Sequence, residues 1–83
     1  MLQFIEDIKS QKRPVVIFGA GIVGEVLFWA CQHFKLEVHS FCDNNVNKTK
    51  STLCGIDVIL TSELSAKHNN PIILISAADI QDV

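Results

Sequence analysis

The amino-acid sequence predicts an α/β domain built on a parallel β-sheet. Two runs of branched apolar residues, Val15–Phe18 and residues 71–76, have the composition of strands that are buried on both faces. Segments with helical spacing separate the predicted strands, and strands that alternate with helices form parallel sheets with right-handed crossovers. The chain has 83 residues, which is enough for one hydrophobic core. We therefore expect a single domain over residues 1–83.

The first half of the chain is predicted to form a helix, a strand and a second helix. Apolar residues recur at every third position in residues 2–10, which is typical of a short amphipathic helix. Residues 11–14 end this helix, and Val15–Phe18 is expected to be the central strand. A helix over Ile22–His33 follows. Its predicted sheet-facing stripe consists of Ile22, Val23, Val26, Leu27, Ala30, Cys31 and Phe34, with Phe28 and Trp29 beside it.

The second half is predicted to add three strands and a short helix. The strands are expected at residues 36–42, 55–60 and 71–76, from alternation or from continuous apolar composition. The helix is expected over residues 61–70, with Thr61 or Ser62 as its N-cap. The result is a sheet of about four strands, in which Val15–Phe18 lies between the strand 36–42 and the strand 71–76.

The last residues of the sequence indicate a module of a longer protein. Ser76 and Asp79 have the spacing of a capping box, which marks the start of a further helix. Only about two helical turns remain after Ser76, whereas helices average about 11 residues. We therefore expect residues 1–83 to be a fragment of a larger chain.

Composition and charge argue against several classes of function. The net charge of −2 and the scattered Lys and Arg residues form no basic surface for nucleic acid. No apolar run approaches the roughly 18–20 residues of a membrane span, and the acidic N-terminus is untypical of a secretory signal. Three cysteines without a C-x-x-C pair favour reduced thiols over disulfides or a metal site. We expect a cytoplasmic protein without membrane or nucleic-acid partners.

Three glycines with the spacing G-x-G-x-x-G connect the first strand to the following helix. In this context Gly19 makes the sharp turn, Gly21 lets phosphates approach the backbone, and Gly24 lets the helix lie close to the strand. The first helical turn supplies free N–H groups and a positive dipole for an anion. The predicted phosphate-binding residues are Gly19, Ala20, Gly21, Ile22, Val23 and Gly24.

Polar residues follow the neighbouring strands at the same edge of the predicted sheet. Asp43 comes 19 residues after the third glycine and is expected to accept hydrogen bonds from ribose hydroxyls, with Asn44 beside it. Ser76 is a candidate phosphate ligand or the cap of the final helix. Lys48 and Lys50 are interpreted as solvated side chains in preference to phosphate ligands. The expected cofactor is a nucleotide-sugar or NAD.

The same residues also have interpretations without a ligand. The glycines can serve only the turn and the packing of the helix, and Asp43 can belong to an ordinary turn. The three histidines have no evident serine or carboxylate partner, and the chain has no Tyr. We therefore identify no catalytic residue and leave open whether the chain is part of an enzyme. The apolar helix around Phe28 and Trp29 supports the alternative of a ligand-free module that docks on another domain or on a second copy.

The succession of these motifs resembles a small Rossmann-like module that precedes other domains in bacterial surface-polysaccharide enzymes. The segments that carry the resemblance are "VVIFGAGIVGEV", "VHSFCDNN", "LCGIDVI", "TSELSA" and "PIILIS", within residues 14–83. Such modules precede PglD-type sugar acyltransferases, sugar-nucleotide dehydratases and FkbM-like methyltransferases. The acyltransferases usually have Gly-His-Gly-Lys where this chain has Ile22, Val23, Gly24 and Glu25. The segments "FCDNN" and "GIDVI" are more similar to the methyltransferase- and glycosyltransferase-associated modules. The resemblance implies a three-layer Rossmann-like nucleotide-binding domain of a transferase, with Gly19, Gly21, Gly24 and Asp43 as binding positions.

Overall fold

A five-stranded, mostly parallel β-sheet organises the chain, and helices pack against it. The computed structural model describes residues 2–75. The elements are, in chain order, α1 (Leu2–Gln11), β1 (Val15–Phe18), α2 (Ile22–His33), β2 (Ser40–Asp43), a 3₁₀ helix (Val46–Lys50), β3 (Thr52–Leu53), β4 (Ile56–Leu60), a second 3₁₀ helix (Thr61–Glu63), α3 (Leu64–Lys67) and β5 (Ile72–Ile75). The predicted α/β class is confirmed. The helix predicted to begin at Ser76 lies outside the described residues.

The strands are arranged in the order β3-β4-β2-β1-β5. β1 pairs in parallel with β2 on one side and with β5 on the other, as the pairs Val16↔Ser40 and Ile17↔Leu74 show. The predicted neighbours of β1 are therefore confirmed. The prediction that β1 is the central strand is wrong, because β3 adds a fifth strand beyond β4 and β2 takes the middle position. β4 extends the parallel part of the sheet beyond β2.

A two-residue strand makes the sheet larger than the four strands predicted. β3 pairs antiparallel with β4 through Leu53↔Ile56, and only Cys54 and Gly55 connect the two strands. Both connecting residues have positive φ, 54° and 77°, as in the tight turn that matches the twist of a hairpin. A strand this short shows no repeating pattern in the sequence, and it was not predicted.

Two predicted boundaries differ from the structure. β2 begins at Ser40, whereas the strand was predicted from residue 36. Leu36 and Val38 are nevertheless buried and residue 37 is exposed, so the alternation correctly identified the inner side chains of an extended segment. The N-cap predicted at Thr61 or Ser62 is wrong, because the helical segment begins one residue earlier and the Leu60 N–H donates to the Glu63 carboxylate at 3.1 Å.

Apolar contacts cover both faces of the sheet. On one face, α1 and α2 form the main core, in which Ile5, Ile8, Phe28 and Cys31 join Val15, Ile17 and Phe41. On the other face, a smaller cluster of Val16, Cys42 and Ile59 contacts Leu64 of α3. Successive residues of a strand point to opposite faces, so the fully buried Val16 and Ile17 serve the two clusters in turn.

The inner face of α2 differs from the predicted stripe. Gly24, Phe28 and Cys31 are the buried residues of this helix. Most of the predicted stripe is exposed, namely Ile22, Val23, Val26 and Ala30. A Cβ added to Gly24 would lie 1.9 Å from the Gly19 carbonyl oxygen, so Gly24 has to face β1, and Phe28 and Cys31 share its face at i+4 and i+7. The predicted stripe is correct for Leu27, Cys31 and Phe34, which contact the core. It is wrong for the four exposed residues, because a hydrophobic stripe gives no weight to glycine.

Candidate functional site

The glycine turn lies at the carboxyl edge of the sheet, between the ends of β1 and β2. Gly19 follows β1 with a φ of 108°, which residues with a side chain rarely adopt. Its N–H continues the sheet by donating to the Cys42 carbonyl at 2.8 Å. The chain can therefore reverse directly after the strand and begin α2 at Ile22.

Gly24 and Gly21 have different surroundings. A Cβ on Gly24 would lie 1.9 Å from the Gly19 carbonyl oxygen and 3.0 Å from its carbon. Only glycine allows the helix to lie this close to the strand end. A Cβ on Gly21 would meet the Lys48 ammonium nitrogen at 3.6 Å, an ordinary contact with a flexible side chain. Gly24 is therefore a packing residue, whereas the backbone at Gly21 is open to approach.

The first turn of α2 is accessible to solvent. Gly21 is the N-cap, and its carbonyl accepts from the Glu25 N–H at 3.0 Å. The N–H groups earlier in this turn have no acceptor within the helix, and the side chains of Ile22 and Val23 are exposed. The turn thus presents partial positive charge to an anion, and the Glu25 carboxylate reduces that charge.

Asp43 joins the end of β2 to the glycine turn. Its Oδ2 accepts from the Ala20 N–H at 2.9 Å, and its Oδ1 accepts from the Asn45 N–H at 2.8 Å. The second bond is an ordinary Asx turn, and the first brings the carboxylate to the predicted phosphate site. A carboxylate oxygen can accept a second hydrogen bond, so both oxygens retain capacity for a ribose hydroxyl.

The surroundings of Asp43 hold it in the ionised form. Partial burial acts to raise the pKa of this carboxyl group. The hydrogen bonds from Ala20 and Asn45 and the positive charge of Lys48 outweigh burial, so the pKa lies below its ordinary value. Asp43 is therefore an anion at neutral pH, and by itself it would repel a phosphate at the turn.

Lys48 places a positive charge beside this anion. It belongs to the 3₁₀ helix Val46–Lys50, which Asn45 caps by accepting from the Asn47 N–H at 3.0 Å. The Lys48 ammonium lies 3.5 Å from the Ala20 carbonyl oxygen. Lys48 is solvent-exposed, as predicted, but it also lies against the glycine turn. The sequence signal for this position is Asn45 as an N-cap, which folds the following residues back toward the turn.

Of the two remaining predicted site residues, the structure describes one. Asn44 is exposed beside Asp43, and Ser76 lies outside the described residues. Within residues 2–75, no group of three His, Cys, Asp or Glu side chains is placed to hold a metal ion. The candidate site therefore consists of the glycine turn, Asp43 and Lys48.

A serine and a histidine pair at the opposite edge of the sheet, where the sequence reasoning found no partner for any histidine. Ser40 Oγ and His68 Nε2 lie 2.7 Å apart. Ser40 is 4% exposed, so its hydroxyl is closed to a substrate, and the bond connects the end of α3 to the start of β2. The sequence signal for this hydrogen bond is the alternation of residues 36–42, which places Ser40 on the buried side of the strand. A buried hydroxyl group needs a hydrogen-bond partner.

Known proteins give no guide to this site. No family model, curated protein or solved structure matches the chain. The resemblance to modules of polysaccharide enzymes therefore stays a prediction. Among residues 2–75, no helix is long and apolar enough to cross a membrane.

Proposed function

We propose that this chain binds a nucleotide, either a nucleotide-sugar or a dinucleotide such as NAD. The diphosphate would lie over Gly21–Gly24 at the start of α2, and Asp43 would accept hydrogen bonds from the ribose. The observation that carries the proposal is the open backbone at Gly21, because a Cβ there meets only the Lys48 ammonium within 4 Å. A turn needed only for packing would require glycine at Gly19 and Gly24 and would not require it at Gly21.

The charges around the turn also support an anionic ligand. The free N–H groups of the first helical turn and the Lys48 ammonium are positive, whereas Asp43 and Glu25 are negative. A diphosphate can lie next to the N–H groups and Lys48 while a ribose hydroxyl meets Asp43. This separation of charges matches a ligand that carries anionic and hydroxyl groups side by side.

Melting temperature measured with candidate ligands tests the proposal. NAD, UDP-sugars and S-adenosylmethionine are titrated in turn, and a ligand at 100 times its Kd should add about 2.7 kcal/mol of stability. The matched variant is Gly21→Ala, which fills the open backbone position and should abolish the ligand-induced shift. Lys50→Gln removes a lysine from the same 3₁₀ helix and should leave the shift unchanged. No stabilisation by any of these ligands, or an equal shift in Gly21→Ala, would refute the proposal.

We propose further that the chain is a Rossmann-like module of a larger transferase, which acts on surface polysaccharide or methylates a substrate. Binding and orientation would belong to this module and the chemistry to another domain. The proposed location is the cytoplasm, since buried free thiols such as Cys31 and Cys42 suit a reducing compartment. The assignment would be supported if the sugar-modifying activity of the full-length protein rises with the amount of nucleotide bound at this module. Equal activity in the wild type and in Gly21→Ala would refute it.

A second candidate function is docking through the outer face of α2. Phe28 is 3% exposed and belongs to the core, so the predicted docking pair of Phe28 and Trp29 is wrong in its first member. Ile22, Val26 and Trp29 form the outer stripe and are 81%, 63% and 56% exposed. Three large apolar side chains at i, i+4 and i+7 on one helix face favour an interface.

Sedimentation velocity at increasing protein concentration tests this second candidate in its self-association form. Val26→Glu places a charge in the stripe, and Ser65→Glu places the same charge at an exposed position of α3, on the other face of the sheet. A dimer that is lost only in Val26→Glu would support docking between copies. A monomer at all concentrations, or an equal response to both variants, would contradict it.

A further inference from the structure

A basic pocket lies at the amino edge of the sheet, at the opposite end of β1 from the glycine turn. Its cavity has a volume of about 220 Å³. The residues that line it are Ile8, Lys9, Lys12, Arg13, Val15, Lys35, Leu36, Glu37 and His39. The pocket lies at Val15, where β1 begins, and the glycine turn follows Phe18, where β1 ends. At a rise of about 3.3 Å per residue, the two sites are roughly 10 Å apart.

The pocket concentrates positive charge in a chain that is negative overall. Four of the seven Lys and Arg residues line it, against the single carboxylate of Glu37. The resulting charge of +3 contrasts with the net charge of −2 for the whole chain. Helices α1 and α2 both end at this pocket, and each helix C-terminus carries about half a negative charge. Together the two helix ends offset only a third of the excess positive charge.

Arg13 holds one of these charges in place without neutralising it. Its guanidinium donates to the Asn70 carbonyl at 2.8 Å, to the Pro71 carbonyl at 3.1 Å and to the Gln11 side chain at 2.6 Å. All of these acceptors are uncharged. Arg13 therefore contributes a fixed positive charge to the wall of the pocket.

Two of the lysines occupy backbone positions that other residues fill more easily. Lys12 and Lys35 follow the ends of α1 and α2 with φ values of 54° and 60°. Glycine and asparagine adopt this conformation at lower cost. A lysine at either position gains favourable interaction with its own helix end, and both lysines also line the same cavity.

His39 adds a hydrogen-bond donor at the same cavity. Its Nδ1 accepts from the Val15 N–H at 3.2 Å, which assigns the proton of the neutral ring to Nε2. The floor beside it is apolar, because Ile8, Val15 and Leu36 are buried core residues. The pocket thus combines cations and a donor with a small apolar surface.

We propose that this pocket binds the phosphate group of a small phosphorylated molecule. Lys9, Lys12 and Lys35 would hold the phosphate, since the ammonium group is a point charge commonly used for phosphates. The organic part would lie on the apolar floor. A volume of about 220 Å³ is below the range of about 300–1,000 Å³ for drug-sized ligands, so the ligand is smaller than the nucleotide proposed for the glycine turn.

Amide NMR of the labelled protein, titrated with inorganic pyrophosphate at constant ionic strength, tests the proposal. The expected shifts are at the amides of Val15, Leu36 and His39. The double variant Lys12→Asn/Lys35→Asn keeps residues that tolerate positive φ and removes two charges, so affinity should fall at least about tenfold. The matched control Lys50→Asn/Lys67→Asn removes the same charge elsewhere and should bind as the wild type does. Melting curves of both double variants confirm that they are folded.

Three outcomes would overturn the proposal. Equal pyrophosphate affinity in Lys12→Asn/Lys35→Asn would show that the pocket lysines are not ligands. Equal affinity for citrate would show that the pocket responds to charge alone and not to phosphate. Shifts confined to the amides of Gly21–Gly24 would support the nucleotide site and refute this second one, so the two proposals can fail separately.

Discussion

Gly24→Ala tests whether the close approach of α2 to β1 sets the position of the helix. The added Cβ would start 1.9 Å from the Gly19 carbonyl oxygen, whereas Cβ atoms essentially never approach heavy atoms closer than 3.0 Å. The helix or the turn therefore has to move by about 1 Å. This movement is imposed on backbone atoms, which cannot rotate away as a long side chain can.

The expected cost of Gly24→Ala is about 3 kcal/mol. Overpacking costs about 1–3 kcal/mol. A helix that moves outward by up to about 1 Å leaves a gap beside Phe28, and Phe28 then loses a quarter to a half of its dispersion energy. Alanine returns about 0.8–1.0 kcal/mol of helix propensity. Total stability is about 4–12 kcal/mol for a chain of this length, so the variant should fold but melt about 12–24 °C lower.

Thermal and urea unfolding followed by circular dichroism measure this cost, with Gly21→Ala as the matched control. Gly21 has φ −110° and ψ −158°, which alanine adopts without strain, and a Cβ there meets only Lys48 at 3.6 Å. The control should lose about 1 kcal/mol or less, because alanine is a poorer N-cap than glycine. Equal losses in the two variants, or a loss below 1 kcal/mol in Gly24→Ala, would refute the reasoning.

Three further predictions concern side chains that the structure pairs or buries. Asp43→Asn should cost about 1–3 kcal/mol at pH 7. The folded pKa of Asp43 lies below its unfolded value, so the ionised form stabilises the fold above about pH 5 and this contribution is lost as the pH falls through the folded pKa. Urea titrations of wild type and variant from pH 7 to 3 should show a constant difference that then shrinks, and a difference that grows in acid would contradict the sign. Cys54 should react first with a thiol reagent, since Cys31 and Cys42 are buried. Burial and the Glu25 charge raise the pKa of Cys54, so its rate should still be increasing beyond the ordinary thiol pKa of about 8.5, and faster reaction of a second thiol in the folded protein would contradict this. Ser40→Ala should cost about 1 kcal/mol in urea unfolding, because it removes the bond to His68, and no measurable change would show that this bond is energetically neutral.

The sequence predicted well those features that depend on composition and on strand ends. Val15–Phe18 and Ile22–His33 have the predicted bounds, because buried strands and long apolar helices have strong patterns. Asp43 could be located at the glycine turn from topology alone, since the carboxyl ends of adjacent parallel strands lie at one edge. Its contact with Ala20 shows that this inference also holds at the level of single atoms.

Features that depend on backbone contacts or on short segments were predicted less well. The rotation of α2 is set by Gly24, which has no side chain and therefore no weight in a hydrophobic stripe. β3 has only two residues, so it lacks a period. Lys48 reaches the turn because a 3₁₀ helix folds residues 46–50 back, and the single local signal for it is the Asn45 cap.

The double role of Asp43 decides which variant can test nucleotide binding. Its carboxylate accepts hydrogen bonds from the Ala20 and Asn45 N–H groups, so removing it disturbs the turn whether or not a ribose binds there. Loss of binding in Asp43→Ala would therefore follow from either cause. Gly21→Ala leaves these two bonds in place and changes only the space over the backbone. A loss of nucleotide binding in Gly21→Ala, with the fold retained, would consequently point to a ligand lying on the turn itself.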